Sequence, residues 1–336
     1  MSSEATPIHE GNLGSKRLRD LGLTILGTPL EVVLQEFQRE LAARGVTKVR
    51  PHFYLSTEWG VPFDTISIAI PFYLARVDLT DFHAERGGLV EGGGPSDLLR
   101  YLRHEMGHVV NYAYRLYERS EWTDQFGDIN APYEEEYRPK PFSPRYVDHL
   151  PGWYAQKHPD EDWAETFAVW MTPGLNWRER YARRAALAKL EYCDRVMAEL
   201  REREPLTTAE DPDEDVGSLD TTLDEHYRAY ALDKRDVPAD LEEALQTIFG
   251  KPDKEPPTTP RSAAILIRRL APTIAADVYR WTGWFPERAR HVLHELAERA
   301  EKQNLTYTED RETAAAVALT AFITALAMSR INDAAP

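Results

Sequence analysis

Three residues in the stretch "RYLRHEMGHVV" (100–110) have types and spacing that could do chemistry: His104, Glu105 and His108. On an α-helix, positions i and i+4 share a face one turn apart, so the two imidazoles project together and can reach one tetrahedral metal ion. Glu105, beside the first imidazole, can hydrogen-bond a metal-held water without ligating the metal, which is the logic of a His-Glu-x-x-His site. A core helix with two histidines bonded to neighbours would show the same spacing. The rest of the chain must therefore supply a third ligand and an open fourth position.

The supply comes about fifty residues later, in "HPDEDWAETFAVW". Glu161 and Glu165 are again i, i+4, beside an apolar stripe of Trp163, Phe167 and Trp170, while Ala164 and Ala168 permit another helix to approach. One carboxylate can bind zinc while the other orients a ligand histidine; Asp162 is a further alternative ligand. An acidic first turn favoured by the helix dipole accounts for Asp160 and Asp162, but less well for Glu165. His149 and His158 flank this region and are read as cleft-lining.

These residues must be held by elements. Leu99, Leu102, Met106, Val109, Val110 and Ala113 give the first motif a buried helical face, and Ser96 reads as the N-cap of a helix over 97–118. "PLEVVLQEFQRELAARG" (29–45) and "WRERYARRAALAKLEYCDRVMAELRERE" read as helices, and "VRPHFYLSTEWG" and "TISIAIPFYL" as strands. The second strand is either an exposed edge that aligns an extended peptide or an ordinary interior strand.

The expected organisation is a flexible arm over 1–28, a catalytic domain over 29–205, a linker region with short helices over 206–260, and a helical C-terminal domain over 261–336. The acidic "LTTAEDPDEDVGSLD" and the Pro-rich "KPDKEPPTTP" mark the linkers. The fold class expected is α+β.

The chain has 336 residues and a formal net charge of -16, which disfavours polyanionic partners such as nucleic acid. A single cysteine, Cys193, excludes an internal disulfide and a thiolate zinc site. The N-terminus lacks a signal-peptide pattern, and no run of about 20 apolar residues is seen, so no membrane association and a cytoplasmic location are expected.

"HEMGH" followed by "EDWAETFAVW" resembles the gluzincin metallopeptidases, of which thermolysin and anthrax lethal factor are members. More closely, "STEWGVP", "IAIPFYLA", "LRHEMGHVVNYAYRLY", "YRPKPFSPRYVDHL", "YAQKHPDEDWAETFAVWMTP" and "LDEHYRAY" resemble a bacterial family of zinc-binding metallopeptidases. The resemblance implies a zincin-like catalytic domain, Zn²⁺ as cofactor, His104, His108 and Glu161 as ligands, and Glu165 as the carboxylate behind a ligand histidine. It also implies hydrolysis of peptide bonds with Glu105 as general base, on a peptide or protein substrate. Tyr154, seven residues before Glu161, matches the position of a catalytic tyrosine in lethal factor; Tyr101, Tyr112, Tyr146 and His149 are rival donors to an oxyanion. The alternatives are a latent zincin scaffold that binds proteins and a zinc amidohydrolase acting on a small amide. The C-terminal helical domain is a candidate intramolecular regulator.

Overall fold

The computed structural model describes residues 13–86, 89–133, 137–229, 241–250 and 260–333. Among these, helices dominate a few short strands, a mixed composition compatible with α+β. The order is α1 (Pro29–Ala43), β1 (His52–Ser56), β2 (Ser67–Pro71), α2 (Val77–Glu85), α3 (Pro95–Ala113), α4 (Ser120–Phe126), α5 (Pro159–Met171), α6 (Trp177–Arg180), α7 (Ala186–Leu200), α8 (Leu223–Ala229) and α9 (Leu241–Ile248). Then follow β3 (Arg261–Ser262), α10 (Ala263–Thr282), α11 (Pro286–Lys302), β4 (Thr306–Tyr307) and α12 (Glu312–Asp333).

Two hydrophobic cores form. The first runs from Leu18 to Tyr227 and centres on α3 and α5, with Trp122, Trp163, Phe37 and Phe167 fully buried. The second, Leu241 to Ala327, is built by α9 to α12. Both cores draw in more chain than composition suggests. Of the arm expected over 1–28, residues 1–12 lie outside the described residues, but Leu18 and Leu21 are buried and the Leu18 amide donates to Thr221 O at 3.0 Å. Part of the expected linker likewise packs: Val216, Leu223 and Tyr227 belong to the first core. Sparse apolar residues in an acidic stretch are enough when each one finds a hydrophobic face.

β1 and β2 pair in parallel, with Tyr54 opposite Ala69. Every residue of β2 is buried. On its other side the Ala69 amide donates to Gly60 O at 2.8 Å. β2 is therefore the interior strand, as its continuous apolar run allows, and the segment Trp59–Val61 forms the edge.

Three boundaries differ from the sequence reading, and the helix expected to reach 118 stops at Ala113, where Arg115 turns left-handed with φ 46°. α3 begins at Pro95 with Gly94 as N-cap, because proline suits a first helical position whose N–H is not needed. The helix expected from Trp177 to Glu204 breaks into α6 and α7: Tyr181 turns inward, fully buried, and its hydroxyl accepts from the Asp148 amide at 3.1 Å.

In the second core α12 buries Ala315, Leu319, Ile323 and Ala327. No membrane-crossing segment was expected, since no run approaches about 20 consecutive apolar residues. By length and composition alone, however, Glu309–Ile331 is long and apolar enough to cross one, with 22% of that window buried.

Candidate metal centre

The site is made by two helices that cross in contact. α3 presents His104, Glu105 and His108, and α5 presents Asp160, Glu161 and Glu165, all buried. The crossing is tight because of one glycine: a Cβ on Gly107 would lie 2.6 Å from Ala164 Cα. Beside it the Trp163 indole donates to Gly107 O at 2.8 Å, tying α5 to α3. α5 starts where the chain can turn. His158 caps it, its Nδ1 accepting from the Asp160 amide at 3.2 Å, and Pro159 takes the first helical position.

Three ligand atoms converge. His104 Nε2 and His108 Nε2 are 3.2 Å apart, and Glu161 Oε2 lies 3.0 Å from the first and 3.4 Å from the second. Ligands held about 2.1 Å from a tetrahedral ion stand about 3.4 Å from one another, so the triad has the size of a zinc shell. Among the described residues, buried Glu161 Oε2 has no hydrogen-bond partner beyond the two imidazole nitrogens it faces.

Both imidazoles are oriented from behind. His104 Nδ1–H donates to Glu165 Oε1 at 2.9 Å, and His108 Nδ1–H donates to Asp160 Oδ2 at 2.9 Å. These bonds fix each ring through Nδ1 and turn both Nε2 atoms toward Glu161. Glu165, with no solvent exposure, also accepts from the Leu150 amide at 2.9 Å and the His149 amide at 3.2 Å. It is therefore turned to the back of His104, away from the triad. Asp160 is held in turn by Asn111 Nδ2 at 2.7 Å and the Tyr112 hydroxyl at 2.5 Å. Burial acts to raise the Glu161 carboxyl, but the two imidazoles overcome it and hold the group well below the usual carboxylate range.

Residues 92–186 match the model of a family described as "Putative zinc-binding metallo-peptidase". This is the family that the motifs resemble. No curated protein and no solved structure matches the chain. The matched segment holds α3 to α6 and the start of α7, and so carries every residue of the triad and its supports.

Around the triad lies a cavity of about 320 Å³ lined by Trp59, Phe63, Glu105, Tyr133, Tyr154 and His158 among others. Glu105 is buried, and among the described residues no hydrogen bond engages its carboxylate. Burial raises its carboxyl above the ordinary value, and the two imidazoles pull the other way. Tyr154 packs edge-on against His104, with ring centroids 5.6 Å apart, and burial keeps its phenol well above the usual range, so it stays a donor. Its hydroxyl is 3.5 Å from that of Tyr133, which donates to Glu161 Oε1 at 2.6 Å.

The other named residues separate. His158 lines the cavity, but its Nε2–H is spent on Ala131 O at 3.0 Å. His149 does not line it. Its Nε2–H donates to Arg100 O at 3.0 Å, and the ring faces a different cavity of about 410 Å³, because the chain from Asp148 to Leu150 is laid across the back of Glu165. Asp162 pairs with Lys189 instead of facing the triad, and burial pushes its carboxyl up to about 7. Tyr112 is engaged by Asp160, and Tyr146 lies 4.5 Å under the Lys189 ammonium.

Sequence reasoning missed Asp160 and Tyr133. Asp160 carried a signal that another cause explained, its place in an acidic first turn. Tyr133 sits in a Pro- and Tyr-rich span with no periodicity to single it out.

Proposed function

We propose that this chain is a zinc-dependent metallopeptidase with a zincin-like, gluzincin-type site, hydrolysing peptide bonds. The observation that carries the reading is the triad itself: two Nε2 atoms and one buried carboxylate oxygen within 3.4 Å of one another, beside a glutamate that no hydrogen bond among the described residues engages, in a cavity. His104, His108 and Glu161 would hold the ion. When bound, zinc supplies Lewis acidity, polarising a carbonyl and making water acidic enough to lose a proton near neutral pH.

The chain's own residues do the rest. Glu105 takes the proton of the attacking water and delivers it to the leaving amine, since no hydrogen bond among the described residues engages its carboxylate. Tyr154 donates from its phenol to the oxyanion that forms on the carbonyl oxygen, where a fixed donor is worth most. Tyr133 holds Glu161 in place through its other oxygen. The edge segment Trp59–Val61 borders the cavity and offers backbone for an extended peptide. A purely interacting scaffold has no need of an unengaged carboxylate at this point.

The test pairs metal analysis with a proteome-derived peptide library. Purified protein should carry about one zinc per chain and cleave the library. Glu105→Gln should retain the zinc and lose about 10²- to 10⁴-fold of the rate. Normal hydrolysis by Glu105→Gln would remove the general base and, with it, this mechanism.

A further inference from the structure

A second cavity, of about 300 Å³, shares Trp59, His104, Glu105 and Tyr154 with the first, so the two meet at the triad. Its walls come from both cores. The first contributes Trp59 stacked on Tyr101, with centroids 5.3 Å apart and planes 12° from parallel. The second contributes Tyr279 stacked on Phe285, 6.3 Å apart and 17° from parallel, together with Pro286. Leu89 and Pro151 complete the apolar, aromatic side of the lining next to the triad, and Thr57, Glu58, Glu91 and Lys157 form its polar side.

The wall from the second core is held in place on two flanks. At one, Gly152 and Gly283 meet, both in the left-handed region with φ of 81° and 76°. A Cβ on Gly152 would lie 2.7 Å from the Tyr279 ring, and one on Gly283 would lie 3.3 Å from Gly152 O and 2.9 Å from Pro139. Trp153, Phe142 and Trp281 pack around this seam, and the Trp153 indole donates to Trp281 O at 3.4 Å. At the other flank Arg290 on α11 donates to Ala84 O on α2 at 3.1 Å. Phe285 lies between these anchors, just before Pro286 opens α11.

Resting on the metallopeptidase reading, we infer that the C-terminal helical domain is part of the substrate cleft. Its Phe285, with Tyr279, forms the wall of a subsite that selects a bulky apolar or aromatic side chain beside the scissile bond. Such a side chain leaves water for a site with aromatic faces on two sides, which binds rings better than area alone would give. The second domain then acts as a specificity element instead of a cap that shuts the enzyme off. Phe285 is a specificity-determining residue and takes no part in the proton transfers.

The experiment uses full-length, zinc-loaded protein and two probes, glycine hydroxamate and L-phenylalanine hydroxamate, with affinity read by calorimetry. Neither measurement needs turnover. The wild type should prefer the phenylalanine probe by about ten-fold or more, within the range hydrophobic pockets achieve. Phe285→Ala should cut that preference to a few-fold with zinc content and glycine hydroxamate affinity unchanged. Phe285→Trp, which fills the pocket and so does not imitate partial unfolding, should exclude the phenylalanine probe while still binding glycine hydroxamate. In the peptide library, Phe285→Ala should flatten the profile at one position next to the cleaved bond. Binding of glycine hydroxamate with no preference for the larger probe would overturn the subsite and leave the metallopeptidase reading standing. Failure of the zinc-loaded protein to bind either probe would overturn both.

Discussion

Gly107→Ala should empty the metal site without unfolding the chain. The new methyl carbon would stand 2.6 Å from Ala164 Cα, 3.0 Å from its carbonyl oxygen and 3.2 Å from its Cβ. Non-bonded carbons settle at about 3.5–4.0 Å, so α3 and α5 must part by about 1 Å at their crossing. His108 is the next residue on α3, and Glu161 lies within one turn of Ala164 on α5. The ligand set is thus pried open by about 1 Å, while metal–ligand distances tolerate about 0.2 Å. Stability changes less. Overpacking costs about 1–3 kcal/mol, and replacing a mid-helix glycine by alanine returns about 1 kcal/mol. A net loss of up to about 2 kcal/mol lowers Tm by a few degrees in a chain of this size. The assay is zinc competition against a metallochromic chelator, with Tm recorded alongside. Adding Ala164→Gly should restore affinity only in part, because the backbone Cα remains the nearest obstacle. Unchanged zinc affinity in a folded Gly107→Ala protein would refute the claim that this crossing sets the ligand spacing.

Glu161→Gln should weaken zinc by about 10²-fold or more, taking an equal share of the free energy of a four-ligand site, whereas Glu165→Gln should cost about 10- to 100-fold. The reverse order, measured in the same competition assay, would transfer the ligand role to Glu165. Tyr154→Phe should lower kcat by about ten- to a thousand-fold with little change in KM, zinc content or Tm; Tyr133→Phe, which loses only a bond to the far oxygen of Glu161, should act on zinc affinity instead. His83 is buried, with Nδ1 accepting from Tyr227 and Nε2–H donating to Leu89 O, and burial lowers its pKa to about 4. Its folded value lies below the unfolded one, so the stability it contributes is present above about pH 6.5 and lost as pH falls toward 4. Between pH 7 and pH 5 the loss is about 2 kcal/mol, and His83→Gln should flatten the fall in Tm over that interval.

The residues of the triad were legible because a helix converts sequence spacing into a shared face. His104 with His108, and Glu161 with Glu165, are each one turn apart, and nothing beyond the chain's own geometry is needed to pair them. Which carboxylate faces the triad was not legible from spacing, since it depends on how α5 is rotated against Gly107. That rotation is set by side chains such as Trp163 that reach across to α3. Tyr133 and Asp160 were hidden for related reasons: the first is carried in by an aperiodic span, and the second does a tertiary task from a position that local helix electrostatics already justify. Among the strands, the apolar run of β2 announced itself, but its parallel partner and the Gly60 edge are long-range facts. The segments 13–28 and 206–227 look like loose chain only while the faces they cover are out of view.

Five carboxylates are buried around the crossing of α3 and α5: Glu105, Asp160, Glu161, Asp162 and Glu165. Lys189 matches Asp162. The remaining four face two imidazoles, so a dication here is a counter-ion to the core as well as a reagent. Electroneutrality then links the abundance of the folded protein to the supply of the ion. Free metal at 100 times its dissociation constant would add about 2.7 kcal/mol to the folded state, and a chelator would withdraw it. On the proposed zinc reading, a shortage of the ion would lower the stability of the fold as well as its activity.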